Sequence, residues 1–489
     1  MNIALLIIFA FLAFAIYLGI RARRGKDMNL EEWSVGGRGF GTLFIFLLLA
    51  GEIYTTFTFL GASGWAYGRG GPAFYILSYG ALAYVMSYWL LPAIWRYAKD
   101  NRLHSQSDFF VSKYRSPALG VLISLVAVVA MVPYLAVQFQ GLGIIVSEAS
   151  YGSISSTVAV FIGVAAVTVY VIISGIHGSA WTSVVKDIMV LAVVLFLGLY
   201  LPFALYGGIG EMFQAVNTER PEFLTLPAEG QSVPWFISTV LLTALGFYMW
   251  PHTFGSVFSA QNARIFRRNA IFMPLYQLIM LFAFFVGFAA ILQVPGLEGT
   301  QADLSLLRIS LQQFDPWVVG LIGAAGILTA MVPGSMLLMV SATVLSKNVF
   351  KVFRPETSEE RVGLLAKALV PVVALAAMAF TLWTSFDLVL LLLLGYSFVT
   401  QLFPALLFSL MPNNFVNKWG AGAGVSTGVA LVAYLTIFEV KLRAVFPALG
   451  SVGDTNIGIV ALLVNLIVVV AVSLATRPST IAGEAGQRA

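Results

Sequence analysis

The sequence predicts an all-α integral membrane protein of about thirteen spanning helices. Three observations carry that expectation. Apolar residues make up 59% of the 489-residue chain and charged residues only 10%, too little charge to coat a soluble domain of this size. Apolar runs recur at about 20 residues, the length at which a helix crosses the hydrocarbon core. The loops between them alternate in charge, as membrane orientation demands. Lipid admits only helices or closed barrels, and runs this long exclude a barrel.

The elements follow in order. Met1 to Ile20 lacks a basic leader and a small-residue cleavage site, and Arg21, Arg23, Arg24 and Lys26 follow it directly. It reads as a retained first span, not a signal peptide. Apolar segments then fall near 3–20, 40–67, 73–95, 117–147, 155–175, 180–206, 236–258, 271–294, 316–346, 364–384, 386–411, 419–438 and 456–476. The stretches Arg21 to Arg38, Arg96 to Arg115, Arg264 to Arg268 and Lys347 to Arg361 are basic and belong inside. Loop 207–234 carries Glu211, Glu219, Glu222 and Glu229 against only Arg220 and belongs outside. An odd count then starts the chain outside and ends it in the cytoplasm. The tail Arg477 to Ala489 is expected to be disordered.

Composition also excludes functions. Cysteine is absent, so thiolate metal sites and cysteine nucleophiles are ruled out. The three histidines, His104, His177 and His252, lack metal-site spacing. His104 and His177 are expected in solvated loops. The positive excess lies in the loops and implies a membrane orientation, not nucleic-acid binding. No nucleophile–base or metal set suggests an enzyme, and no polar stretch is long enough for a soluble domain.

Three places inside the apolar runs are costly for a membrane helix. Gly51-Glu52-Ile53-Tyr54-Thr55-Thr56 interrupts the second run with glycine, hydroxyl residues and a carboxylate. Trp250-Pro251-His252 puts a proline mid-span in the seventh, removing a backbone donor and freeing an upstream carbonyl. Lys186 lies within Trp181 to Phe203; a lysine there must be paired, neutralised or hydrated. The alternative for Lys186 is a snorkel to the headgroups, with Asp187 as a local polar anchor.

Three stretches resemble the sodium:solute symporter family. They are Arg102-Leu103-His104-Ser105-Gln106-Ser107-Asp108-Phe109-Phe110 with Lys113-Tyr114-Arg115-Ser116; Gly175-Ile176-His177-Gly178-Ser179-Ala180-Trp181-Thr182-Ser183-Val184-Val185-Lys186; and Phe403-Pro404-Ala405-Leu406 through Trp419-Gly420-Ala421-Gly422-Ala423-Gly424. Their order and spacing cover essentially the whole chain. The pattern, with Val332-Pro333-Gly334-Ser335-Met336, is similar to the family's bacterial monocarboxylate permeases.

The resemblance implies a leucine-transporter-type inverted repeat in a bacterial inner membrane. Residues 1–39 would be a peripheral helix and cytoplasmic loop, 40–206 the first five-helix repeat and 207–235 an extracellular loop. Residues 236–411 would be the second repeat, 412–476 peripheral helices and 477–489 the cytoplasmic tail. The two interrupted spans would then open their repeats, which points to the binding site between them.

Family members hold sodium with two carbonyls of the first broken helix and with hydroxyls of the ninth span. Here the matching positions are the backbone of Gly51 and Tyr54 and, on the ninth span, Thr329, Val332 and Pro333; Val332 and Pro333 stand where hydroxyls are needed. The usual acid after the Trp-Thr pair is Ser183. Lys186, one turn beyond it, is expected to replace the sodium ion and carry a coupling proton, with Glu52 as rival proton carrier. No cofactor is expected, the proton is expected as coupling ion and sodium is disfavoured. The solute is expected against Tyr54, Thr55, Thr56, Thr58, Tyr79, Tyr134, Gln138, Tyr248, Trp250 and His252, with Tyr75, Gln140, Tyr396 and Gln401 as further wall candidates. Unwound amides favour a small monocarboxylate of lactate, pyruvate or acetate type. The alternatives are a sodium symporter of pantothenate, proline or another nutrient, a sensory module, which would need a kinase region after the last helix, and a channel.

Overall fold

The computed structural model describes residues 2–26, 28–35, 39–51 and 53–476. The expectations placed on Glu52 and on tail 477–489 lie outside the described residues. The helices are α1 (Ile3–Ala22), α2 (Leu30–Val35), α3 (Thr42–Gly51), α4 (Ala62–Arg69), α5 (Tyr75–Asp100), α6 (Gln106–Tyr114), α7 (Pro117–Ala149) and α8 (Ser156–Tyr206). There follow α9 (Ile209–Glu219), α10 (Val233–Gly246), α11 (Pro251–Phe258), α12 (Arg264–Gln277), α13 (Met280–Gln293), α14 (Ser305–Gln313), α15 (Pro316–Thr343) and α16 (Lys351–Phe353). The last are α17 (Glu359–Trp383), α18 (Leu388–Val399), α19 (Phe403–Leu410), α20 (Lys418–Ile437), α21 (Leu442–Val445) and α22 (Ile457–Ala475). Among the described residues ten helices are long and apolar enough to cross a membrane, or eleven when the bent pair α10–α11 is taken as one crossing.

A 51-residue α8 would be about 77 Å long if straight, more than twice a bilayer core. It is not straight. Gly175 has φ 53° and ψ −153°, and Tyr170 Oη lies 2.8 Å from Thr182 Oγ1, twelve residues on. A continuous helix would hold those positions about 18 Å apart, so the chain reverses at Gly175. A Cβ there would meet Trp33 Cδ1 at 2.5 Å; both space and the positive φ demand glycine. His177, just past the reversal, is therefore not in a solvated loop: it is 5% exposed and its Nε2 lies 2.9 Å from Glu32 Oε1.

Helix α15 is central. Residues 322–344 are buried throughout, whereas α1 buries only Ala4, Leu5, Ile8, Ala15 and Gly19, and α15 packs on α7, α8 and α1. On the face bearing the basic loops, α6 is tied to the end of the ninth apolar run. Lys347 Nζ and Asn348 Nδ2 each donate to Asp108 at 2.7 Å, and Ser105 Oγ donates to Asn348 Oδ1 at 2.9 Å. Ser105 and Asp108 also form a capping box for α6. At the other end of the chain α20 presents Gly420, Gly424 and Gly428 to Ser473, Val469 and Asn465 of α22, so small residues let the two helices approach closely.

Candidate functional site

Helix α3 ends at Gly51 and regular α-helix resumes only at Ala62, after a π-turn over Phe57–Gly61. The break is locally stabilised. Thr55 N–H donates to Thr58 Oγ1 at 3.0 Å, Thr58 Oγ1 donates to the Thr55 carbonyl at 3.0 Å, and Phe57 N–H reaches Thr55 Oγ1 at 3.2 Å. Thr56 Oγ1 donates to Gln138 Oε1 of α7 at 2.8 Å. Hydroxyls here replace the missing backbone ladder, as buried polar groups must be paired.

Into this break Lys186 projects from α8. Its Nζ donates to the Tyr54 carbonyl at 3.2 Å and sits where a Cβ on Gly51 would lie 2.8 Å away. Asp187 Oδ1 is 3.0 Å from the same ammonium, and the two side chains are 0% and 5% exposed. At 0% exposure the ammonium is not snorkelling; it points into the bundle. A Cβ at position 51 would press on the ammonium and displace it.

The second break lies opposite. Trp250, ahead of Pro251, is extended at φ −69° and ψ 133°, the conformation a following proline enforces, and α10 and α11 meet at 51°. His252, Ser256, Gly51, Val332 and Pro333 border one small cavity of about 10 Å³, room for about one water. The structure thus brings both breaks to the two expected ninth-span positions. Thr329 lies elsewhere on α15, its hydroxyl donating to the Gly326 carbonyl at 2.5 Å.

An aromatic cluster surrounds the second break. The Trp250 ring is 4.9 Å from Tyr134, 5.3 Å from Tyr396 and 6.0 Å from His252, and Tyr79 is 5.8 Å from both Tyr396 and Tyr75. Trp250 Nε1 and His252 Nδ1 are buried without a hydrogen-bond partner among the described residues. Tyr248 is buried beside Phe247 at 5.0 Å. Other candidates point elsewhere. The Tyr54 hydroxyl donates to the Tyr276 carbonyl at 2.8 Å, Gln140 reaches the Phe386 carbonyl at 3.4 Å, and Gln401 is bonded to Ser397 and Gly458 at 3.0 and 3.1 Å.

Sequence reasoning missed the Asp108–Lys347 tie, although Asp108 lies in one of the quoted stretches. It also missed that Gln106 Nε2 donates to the Met249 carbonyl at 2.6 Å, linking α6 to the second break. No local pattern signals partners so distant in sequence.

A multi-pass bundle whose two broken helices meet a buried charge is the architecture of a secondary active transporter. The comparisons agree. The family model for the sodium:solute symporter family matches residues 33–428, and the chain belongs to that family. It is 65% identical, over 98% of both chains, to the uncharacterized symporter YhjB of Bacillus subtilis (strain 168). It is 27% identical to a monocarboxylate transport permease protein of Rhizobium johnstonii (87% of this chain, 88% of the relative). It is 24% identical to the sodium/proline symporter of Escherichia coli (strain K12), over 91% of each. Among solved structures, a Na+-coupled sialic acid symporter aligns over 98% of both chains with TM-score 0.80 at 16% identity. Mhp1, a nucleobase-cation-symport-1 family transporter, aligns over 92% of this chain and 96% of its own with TM-score 0.59 at 12% identity. This is a transport protein, not an enzyme.

One expectation is corrected. The proton as coupling ion, with sodium disfavoured, does not stand, because sodium-coupled proteins lie among its relatives by sequence and by structure. The physical fault was to treat a lysine beside one expected cation position as the loss of every sodium site.

Proposed function

We propose that this protein is a sodium-coupled symporter carrying a small carboxylate-bearing nutrient across the bacterial cell membrane. A monocarboxylate of lactate, pyruvate or acetate type is the first candidate. The observation that carries the carboxylate is the buried Trp250 Nε1–H, which has no acceptor beside the second break. A buried donor without a partner costs about 1–3 kcal/mol, and a bound carboxylate oxygen would recover it. Proline and monocarboxylates, named for two relatives, share that group. In this reading Lys186 is a fixed cation closing the bundle onto the Tyr54 carbonyl, and the transported sodium binds elsewhere.

The finer architecture belongs to the same reading. Dividing α8 at Gly175 and joining α3 to α4 across the break turns the apolar helices into thirteen crossings, with the sequence-derived repeats 40–206 and 236–411. The N-terminus is then outside and the basic loops are cytoplasmic.

The test is counterflow of labelled lactate, pyruvate, acetate, proline and pantothenate in proteoliposomes, then uptake under a sodium gradient or in sodium-free buffer. Accumulation of one acid that requires sodium is expected. Equal accumulation without sodium rejects the ion, and no exchange of any of these five carboxylates rejects the substrate class.

A further inference from the structure

The face opposite the basic loops holds a second polar cluster that the solute path leaves unused. Asp303 precedes α14 and Asp387 is the N-cap of α18. Both border one pocket of about 430 Å³ together with Trp65, Arg69, Arg220 and Glu298. Asp303 is 0% and Asp387 6% exposed. Leu388 N–H donates to Asp303 Oδ2 at 3.0 Å. Leu390 N–H and Trp65 Nε1 donate to Asp387 Oδ1 at 2.8 and 3.1 Å. The second oxygen of Asp303, Oδ1, has no hydrogen-bond partner among the described residues. It abuts the outer half of the first broken helix, where a Cβ on Gly64 would come within 2.6 Å of it.

These contacts join three elements at one point: α4 through Trp65 and Gly64, the segment Gly299–Leu304 through Asp303, and α18 through Asp387. Two neighbouring carboxylates buried together cannot both ionise cheaply, and an orphan carboxyl oxygen is where a proton would sit. We propose that Asp303 and Asp387 hold one proton between them whenever α4 is closed onto α18, and that losing it frees α4 to move outward. The pair is a proton-binding latch on the outer gate. The proton enters from and returns to the same face, so it moves no net charge across the membrane and is not the coupling ion.

The electrostatics support the geometry. Burial first, and the Asp387 carboxylate second, push Asp303 well above the usual carboxylate range. Burial also raises Asp387, against the Leu390, Trp65 and Val389 donors and the more distant Arg69. Arg220 and Glu298 share the pocket, and Tyr75 is within electrostatic reach of Asp387. The closed state therefore binds the proton more tightly than the open one. The latch is complete at low pH and is lost as pH rises through the closed-state value, shifting the balance toward open by up to about tenfold per pH unit.

The inference rests on the transporter reading only in calling the movement a gate, and its test needs no solute. The chain has no cysteine, so Ala302→Cys is a single reporter. Ala302 is 8% exposed, and its Cβ lies 3.2 Å from where a Cβ on Gly68 would be, so opening uncovers it. Labelling by a membrane-impermeant maleimide is measured from about pH 5 to 8 and divided by the rate for the exposed Asn217→Cys, which cancels the thiol's own titration. The normalised rate should rise with pH, by up to about tenfold per pH unit, and become flat and slow with Asp303→Asn added. A flat profile in the parent, or an unchanged rise in Asp303→Asn, overturns the proposal. If that variant fails to reach the membrane, Trp65→Phe removes one donor to Asp387 and must move the midpoint to higher pH. A midpoint unmoved or lowered overturns it equally. Failure of sodium-driven uptake with this profile intact would reject the substrate reading alone.

Discussion

Replacing Lys186 by methionine keeps the apolar stem and removes only the ammonium. At 3.0 Å from Asp187, the pair attracts by about 5.5 kcal/mol at an effective dielectric of 20. The bond to the Tyr54 carbonyl at 3.2 Å adds about 1.5–3 kcal/mol as a charge-assisted contact. The desolvation of the ammonium, several kcal/mol, offsets part of both. The net loss on removing one partner of a buried pair is then about 3–5 kcal/mol, because Asp187 is left buried and uncompensated. Lys186→Met/Asp187→Asn removes both charges and should recover most of it. The assay is limited proteolysis in detergent under conditions where opening is fast, so that cleavage follows the open population. Lys186→Met should be cut more than about a hundredfold faster than the parent, and the double variant within about tenfold of it. A single variant within about tenfold of the parent, or a double variant no better than the single, refutes the buried-pair account.

Three further outcomes follow from the same contacts. Trp250→Phe keeps the packing against Tyr134 and Tyr396 but deletes the orphan N–H. Uptake should show a KM raised about tenfold, whereas an N–H that no solute uses would leave KM unchanged. Gly175→Ala forces a side chain into the reversal against Trp33 and should cost more than about 2 kcal/mol, read as lost monodisperse protein on mild heating. For Asp108, burial acts upward, but the Lys347 ammonium, the Asn348 amide and the His104 N–H outweigh it and hold the carboxyl below its usual range. Its contribution is therefore present above the ordinary carboxylate value and is lost as pH falls through the depressed one. Protease resistance of loop 96–116 should be flat from about pH 5 to 8 and drop only below about pH 4, while Asp108→Asn should be sensitive throughout.

Local chemistry determined much of this protein without help from the fold. A run of apolar residues is a span wherever it sits, because the bilayer, not a neighbour, is its solvent. Gly51 with its threonines and Trp250-Pro251 mark breaks, because they undo helical hydrogen bonding from within the segment. Lys186 declared itself by its cost in apolar surroundings. The break between the runs 155–175 and 180–206 is a reversal at Gly175, a backbone that glycine tolerates best. Tertiary structure decided where each polar group spends its hydrogen bonds. Gln401 looked like a cavity wall yet is bonded at Gly458, and Tyr54 offers Lys186 its carbonyl while its ring turns to Tyr276. Asp303 meets α18 across 85 residues, and Asp108 meets Lys347 across 239. A carboxylate's charge is written in the chain, but its neighbours, and hence its proton, are set by which distant helices pack beside it.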